Sequence, residues 1–249
     1  ESDDFMDKLL FQKVCDDIIG QQMEFNGIGT LGEKTVHLCL KNYLAPDRSH
    51  HEVKVDSFVA DVCNENGIIE IQTRSFDKLR RKLKAFLSYS PVTIVYPIPR
   101  TKWIRWINPQ GGEISPPRKS PKTGKPYEIF PELYKIKNYL THPNLRLHII
   151  LMDLEEYRYL DGWSADGKKG STRCDRIPIE LIDELFIHNL SDYQSLVPDT
   201  LQEIFTSKDF KKEAGITLSV AQRALNILTY VGCVKRVGKQ GNAYLYSRI

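Results

Sequence analysis

Residues 57–73 narrow the possible folds more than any other stretch of the chain. Two β-rich runs, 57–63 and 68–73, flank Asn64-Glu65-Asn66-Gly67, and an Asn-Gly step between such runs is a strong hairpin signal. Another extended run, 51–55, precedes them. Over 75–88 Leu79, Leu83, Phe86 and Leu87 recur at helical spacing, with Arg80, Arg81, Lys82 and Lys84 on the solvated side. The run Val-Thr-Ile-Val-Tyr within 91–97 reads as a buried strand. Helices are predicted over 4–19, ended by Gly20, and over 31–44, stopped before Pro46. Helices, three strands, helix and strand in this order specify an α/β class with the sheet covered by helices.

The remaining chain divides unevenly. Over 99–190 the pattern predicts strands at 102–108 and 145–154, a helix at 130–140, and polar loops at 118–125 and 162–173. These elaborate a first domain spanning 1–190. Residues 189–199 read as a linker. Beyond it come short helices at 200–205, 207–214 and 219–231, then a hairpin pairing 234–237 with 243–246 around Gly238-Lys239-Gln240-Gly241. Three helices and a two-stranded wing describe a small winged helix-turn-helix domain over 191–249.

At 249 residues the chain is long enough for two such units. Its 41% apolar and 27% charged residues exclude a disordered tail or a collagen-like chain. The apolar run from Leu147 to Met152 is far too short for a membrane helix, which needs about 20 residues. The acidic start Glu1-Ser2-Asp3-Asp4 does not read as a secretory leader. Five widely spaced cysteines without a CxxC pair argue against a disulfide framework or structural zinc. A cytoplasmic protein with no membrane partner is expected. Charge is uneven: eight Lys/Arg against two acids over 206–249, and seven against two over 100–130. Two basic blocks on an otherwise acidic chain suit a polyanion binder with a separate acidic site.

The acids of the hairpin carry the chemistry. With Asn66-Gly67 as the turn, Asp61 faces Gln72 and Cys63 faces Glu70; with Glu65-Asn66 as the turn, Asp61 faces Glu70 directly. Either register places Asp61, Glu70 and Gln72 on one face, with Ile69 and Ile71 turned to the core; a loop with an odd number of residues and no bulge would pair Asp61 with Ile71 or Ile69 and separate the carboxylates. Directly opposed Cβ atoms lie about 5 Å apart and diagonal ones about 7 Å. Two carboxylates that close repel unless a cation neutralises them, and a hard divalent ion such as Mg²⁺ suits oxygen donors. Water on such an ion becomes acidic enough to attack a phosphodiester. Glu33 and His37, one helical turn apart, can face the same cleft. Arg74 continues the Glu70/Gln72 face and can hold a phosphate.

Through these residues the sequence resembles the PD-(D/E)XK superfamily, the restriction-endonuclease-like nucleases. The resemblance covers about residues 27–98: a helix bearing Glu33, the strand Phe58-Val59-Ala60-Asp61-Val62, a turn, Ile68-Ile69-Glu70-Ile71-Gln72, a helix and a strand. It implies a restriction-endonuclease-like mixed sheet flanked by helices. Asp61 and Glu70 correspond to the metal-binding acids and Glu33 to the helix acid, while Gln72 stands where the pattern usually has Lys and would orient the attacking water. Ala60 stands where the family name has Pro. In the terminal domain Val220, Ala224, Leu228 and Val231 form a core stripe, leaving Gln222, Arg223 and Asn226 outward for base edges and phosphates. Lys235, Arg236, Lys239 and Gln240 of the wing would meet the DNA backbone. The expected function is a Mg²⁺-dependent (Mn²⁺ also suits) endonuclease acting on double-stranded DNA, with a homodimer for two-strand cleavage. The alternative is a catalytically inactive nuclease-fold DNA-binding regulator.

Overall fold

The computed structural model describes residues 7–25, 34–162 and 172–249. The chain runs α1 (Lys8–Phe25), α2 (Thr35–Leu44), β1 (His51–Val55), β2 (Phe58–Asn64), β3 (Gly67–Ile71), α3 (Arg80–Phe86) and β4 (Val92–Ile107). It continues through β5 (Arg118–Lys119), α4 (Phe130–Lys135), β6 (Leu145–Tyr159) and β7 (Thr172–Ile187). The last elements are β8 (Ile204–Phe205), α5 (Ser207–Ala214), α6 (Leu218–Tyr230), β9 (Val234–Gln240) and β10 (Ala243–Arg248). Among the described residues seven strands form one sheet in the order β1-β2-β3-β4-β6-β7, with β5 on β4, and β8-β10-β9 form a second. The large sheet is mixed: β2 and β3 are antiparallel, whereas β3 and β4 are parallel. The expected α/β class with a mixed sheet flanked by helices is therefore present. No helix among the described residues is long and apolar enough to cross a membrane.

Several boundaries differ from the sequence reading, each for a physical reason. Helix α1 continues past Gly20, where nothing lies within 4 Å of an added Cβ; an interior glycine costs about 1 kcal/mol, which helix formers on both sides offset. The expected strands 91–97 and 102–108 are one strand, β4. Its Pro97 and Pro99 lie between the pairing with β3, which ends at Val95, and the pairing with β5, which starts at Trp103, so ladder bonds to those neighbours lose nothing there. Strand β6 runs five residues beyond the expected end at 154, and β7 was not foreseen. The stretch 189–199 is no open linker. It holds a 3-10 turn, Leu190–Leu196, with an Asn189 capping box and buried Tyr193, Leu196 and Val197. The helix expected over 200–205 is replaced by β8, which pairs with β10 at Phe205 and Ile204.

By density of contacts the chain forms two compact units, which alternate along the sequence. The first takes the described residues of 1–51, 97–124 and 150–184; the second takes 52–96, 125–149 and 185–249. In the first unit Phe11, Cys15 and Ile18 of α1 and Val36, Cys39 and Leu40 of α2 are buried. The Phe11 ring meets Tyr43 edge-on at 5.3 Å. The start of α2 is fastened to β7: the Thr35 hydroxyl and N–H donate to the Asp175 carboxylate, and Lys34 Nζ donates to the Cys174 carbonyl at 2.7 Å.

The same unit holds an ion network centred on Glu156 of β6, which is 0% exposed. Arg158 Nε donates to its Oε1 at 2.6 Å and Arg176 Nε to its Oε2 at 2.8 Å, with Lys102 Nζ at 3.4 Å. Burial pushes the Glu156 carboxyl up, but the charges of Arg176, Lys102 and Arg158 outweigh it and hold the group at about 2. The folded value lies below the ordinary one, so the stabilisation is complete above about pH 4.5 and is lost as pH falls toward 2. Glu156→Gln should therefore melt lower than wild type near pH 7 and show a flatter loss of Tm below about pH 4.5, measured by circular dichroism.

In the second unit the bend into β3 depends on Gly67. Its φ is +124° and an added Cβ would stand 2.5 Å from the Pro91 carbonyl oxygen, the acceptor of the Ile68 N–H at 2.9 Å. Gly67→Ala should lower stability by about 1–3 kcal/mol in urea unfolding. An unchanged midpoint would show that the hairpin tolerates displacement from β4.

Candidate functional site

The site is built from the β2–β3 hairpin in the second unit. The pairs Val62↔Ile69, Cys63↔Ile68 and Asn64↔Gly67 fix Glu65-Asn66 as the two-residue turn. Of the two registers open from sequence, the one turning at Asn66-Gly67 is thus excluded. Carried one pair further, this ladder sets Asp61 directly opposite Glu70. Asp61 Oδ2 accepts the Ile71 N–H at 2.7 Å, which holds the acid against the neighbouring strand. On the opposite face Ala60, Val62 and Ile71 are buried and Ile69 is half-buried, while Ile68, also buried, shares the face of the acids.

Glu70 is not on a solvated face: it is 2% exposed. Its oxygens accept from Lys82 Nζ at 3.0 and 2.8 Å. Burial, and next the Asp61 carboxylate, push the Glu70 carboxyl up to about 7; Lys82 and the Asp61 backbone N–H pull the other way. Two acids brought this close resist joint ionisation unless positive charge is supplied, and Lys82 supplies part of it.

Lys82 corrects the reading of the 80–84 run as wholly solvated. On α3 the side chains of Leu79, Leu83 and Phe86 are buried. Lys82 flanks that stripe, so its methylenes follow the apolar surface while the ammonium reaches the acid. The helix is itself held in place. Phe76 N–H donates to Glu132 Oε2 at 2.8 Å, Arg80 Nε donates to the Lys135 carbonyl at 2.8 Å, and the Tyr139 hydroxyl donates to the Arg80 carbonyl at 3.2 Å. The sequence signal was only a lysine beside an apolar stripe, three residues after Leu79.

Gln72 is attached to β4 through its N–H, which donates to the Val95 carbonyl at 2.9 Å. Its side-chain Nε2 donates to the Arg74 carbonyl at 2.5 Å, so the amide is turned toward the segment that follows it. Arg74 is exposed. Glu33 lies outside the described residues, and His37 lies on α2 in the first unit. Among the described residues no three His, Cys, Asp or Glu side chains gather into a metal-holding group. Asp61 and Glu70 are two hard oxygen donors of the kind that suits Mg²⁺ or Mn²⁺.

The basic C-terminal segment forms a second candidate surface in the same unit. Thr206 opens α5 with a capping box, Gly215 closes it at φ +63°, and Thr217 caps α6. Ala221, Ala224, Leu225, Ile227 and Leu228 are buried on α6, a wider face than the stripe read from sequence. Gln222 and Arg223 are exposed; Asn226 is half-buried and accepts from Lys137 Nζ at 2.8 Å, so it is not outward. That lysine also lies 4.7 Å from the Tyr230 ring centre. Sequence reading missed the pairing because Asn226 and Lys137 are 89 residues apart. On the β9–β10 hairpin Lys235, Arg236 and Lys239 are exposed. The guanidinium of Arg236 sits 4.2 Å, and the Lys239 ammonium 4.7 Å, from the Tyr244 ring centre, so one aromatic presents two cations.

Removing Lys82's charge should leave Glu70 buried with less compensation. Lys82→Met is expected to lose about 2–3 kcal/mol near pH 8, where wild-type Glu70 is largely ionised and paired with Lys82, and less near pH 6, where Glu70 is largely protonated in both. Adding Glu70→Gln should recover most of the loss at the higher pH. Denaturant unfolding at the two pH values checks both statements; equal losses would rule out a charge effect.

Residues 34–188 match the family described as "Domain of unknown function (DUF8091)". The chain is also 31% identical over 228 residues to an "Uncharacterized protein" of Treponema pallidum (strain Nichols), a similarity covering 89% of this chain and 87% of that protein. No solved structure matches. With the match spanning most of both the mixed sheet and its helices, the chain belongs to the DUF8091 family.

Proposed function

We propose that this chain is a metal-dependent endonuclease of the PD-(D/E)XK kind acting on double-stranded DNA. The observation that carries the reading is Asp61, held by the Ile71 N–H on the neighbouring strand, beside Glu70 and its Lys82 ammonium. Hard oxygen donors suit a divalent cation, and a carboxyl raised by burial and next by its acidic neighbour has room for added positive charge. When bound, Mg²⁺ or Mn²⁺ supplies a more acidic water and stabilises charge on the phosphodiester during hydrolysis. Asp61 and Glu70 would hold the ion. Lys82 brings to the site the positive charge that the neutral Gln72 amide lacks. Arg74, exposed beyond Gln72, holds a phosphate of the strand.

In this reading residues 191–249 are a winged helix that docks on duplex DNA. The order β8-α5-α6-β9-β10 and the strand order β8-β10-β9 support it. Gln222 and Arg223 on α6, with Lys235, Arg236 and Lys239 on the hairpin, form the contact surface, from which Asn226 is withdrawn by Lys137. Cutting both strands calls for two copies of the site, so a homodimer on DNA is part of the proposal. The turned amide of Gln72 favours the second reading, a DNA-binding regulator without hydrolytic activity.

Plasmid DNA incubated with wild type in Mg²⁺ or Mn²⁺ should be nicked or cut. Asp61→Asn should lower the rate at least about 100-fold, with duplex binding retained in a gel-shift assay. No cleavage by wild type under either metal, with binding intact, leaves the regulator. Loss of duplex binding in Arg223→Ala/Lys239→Ala is expected under both readings, and its absence would overturn the winged-helix assignment.

A further inference from the structure

We propose that Lys102 and Arg176, gathered with Arg158 and Arg173 around Glu156 in the first unit, bind a phosphate group. Four cationic side chains meet this one carboxylate: Arg158, Arg176 at 2.8 Å, Lys102 at 3.4 Å and Arg173 at 3.7 Å. The acid is at the bottom of the cluster, with 0% of its side chain exposed, while those of Lys102 and Arg176 are 20% and 23% exposed. Glu156 thus acts as a buried anchor that arranges cations whose outer atoms reach the surface.

Lys102 and Arg176 carry the argument. Lys102 approaches both Glu156 oxygens, at 3.4 and 3.5 Å, the long end of hydrogen bonding, so its three donors are poorly used. Arg176 commits only Nε to the carboxylate, and its Nη1 and Nη2 make no hydrogen bond among the described residues. A guanidinium edge beside an ammonium is the donor set that a tetrahedral phosphate takes, two bonds from the fork and one from the point charge. The local field agrees. Burial, followed by Arg176 and Arg158, pushes the Lys102 ammonium below its ordinary range, against the opposing pull of Glu156. An anion beside Lys102 would offset the effect of burial and of the neighbouring guanidinium groups on its charge.

The cluster belongs to β4, β6 and β7, whereas Asp61, Glu70 and Lys82 belong to the hairpin and α3 of the other unit. The phosphate site therefore does not depend on the hydrolytic reading. A phosphomonoester and a nucleic-acid backbone offer the same chemistry, which the experiment separates.

The full-length chain is titrated by calorimetry in EDTA, which removes divalent ions, with inorganic phosphate, a deoxynucleoside monophosphate, and a single-stranded oligonucleotide lacking terminal phosphates. At least one probe should bind wild type and raise its Tm. Lys102→Met, whose long contacts to Glu156 make it the milder change, should weaken that binding about tenfold, and Arg176→Gln at least as much. Binding of the first two probes alone assigns a phosphomonoester; binding of the oligonucleotide with the same sensitivity assigns a strand backbone. Asp61→Asn and Lys239→Ala should leave phosphate binding unchanged, which separates this site from the hairpin and the C-terminal module. Should Arg176→Gln fail to fold, Lys102→Met alone decides. Absence of binding by all three probes, or binding that Lys102→Met does not weaken, overturns the proposal and leaves the cluster a structural ion network.

Discussion

The pairing register of β2 and β3 is the constraint on which the candidate site depends. Side chains alternate across a strand with period two, so a slip of one residue would carry Asp61 to the opposite face from Glu70. The Glu65-Asn66 turn sets the register, and the Gly67 backbone, pressed against the Pro91 carbonyl, fixes where β3 meets β4. From that point the parallel ladder Ile68↔Val92 through Ile71↔Val95 holds the acid-bearing strand inside the sheet. The 3-10 turn Phe76–Leu79 and α3 form the crossover between the parallel strands, and this crossover delivers Lys82 to Glu70.

Both units solve the same electrostatic problem in different ways. A buried carboxylate must be neutralised, and in each case the sequence supplies lysine or arginine from another element. Glu70 has the single ammonium of Lys82 and a second acid beside it, so its carboxyl rises. Glu156 has Arg158, Arg176 and Lys102, so its carboxyl falls. The same kind of group thus titrates in opposite directions because of what surrounds it.

Local signals carried much of this into the sequence. The hairpin, the apolar stripe of α3, and the spans of α5 and α6 are set by turn chemistry and periodicity within a few residues, and each falls close to its expected place. The misses are long-range. Strand β4 looked broken at Pro97 and Pro99 because a proline's cost depends on which neighbour needs its N–H. Residues 200–205 had a helical pattern, yet pairing with β10 at Phe205 drew its end into a strand. Asn226 looked outward because nothing near it in the chain foretold Lys137.

The sequence by itself determined the α/β class, a hairpin carrying two acids near its turn, and a basic, helix-rich C-terminal segment ending in a hairpin, since each follows from spacing of residues close in the chain. Tertiary structure alone decided which register the hairpin takes, that Glu70 is buried, that Lys82 is its counter-ion, and that Glu156 collects cations from three strands. Burial and charge compensation arise where segments distant in sequence meet, and the free energy of a buried charge depends on those meetings rather than on its neighbours along the chain.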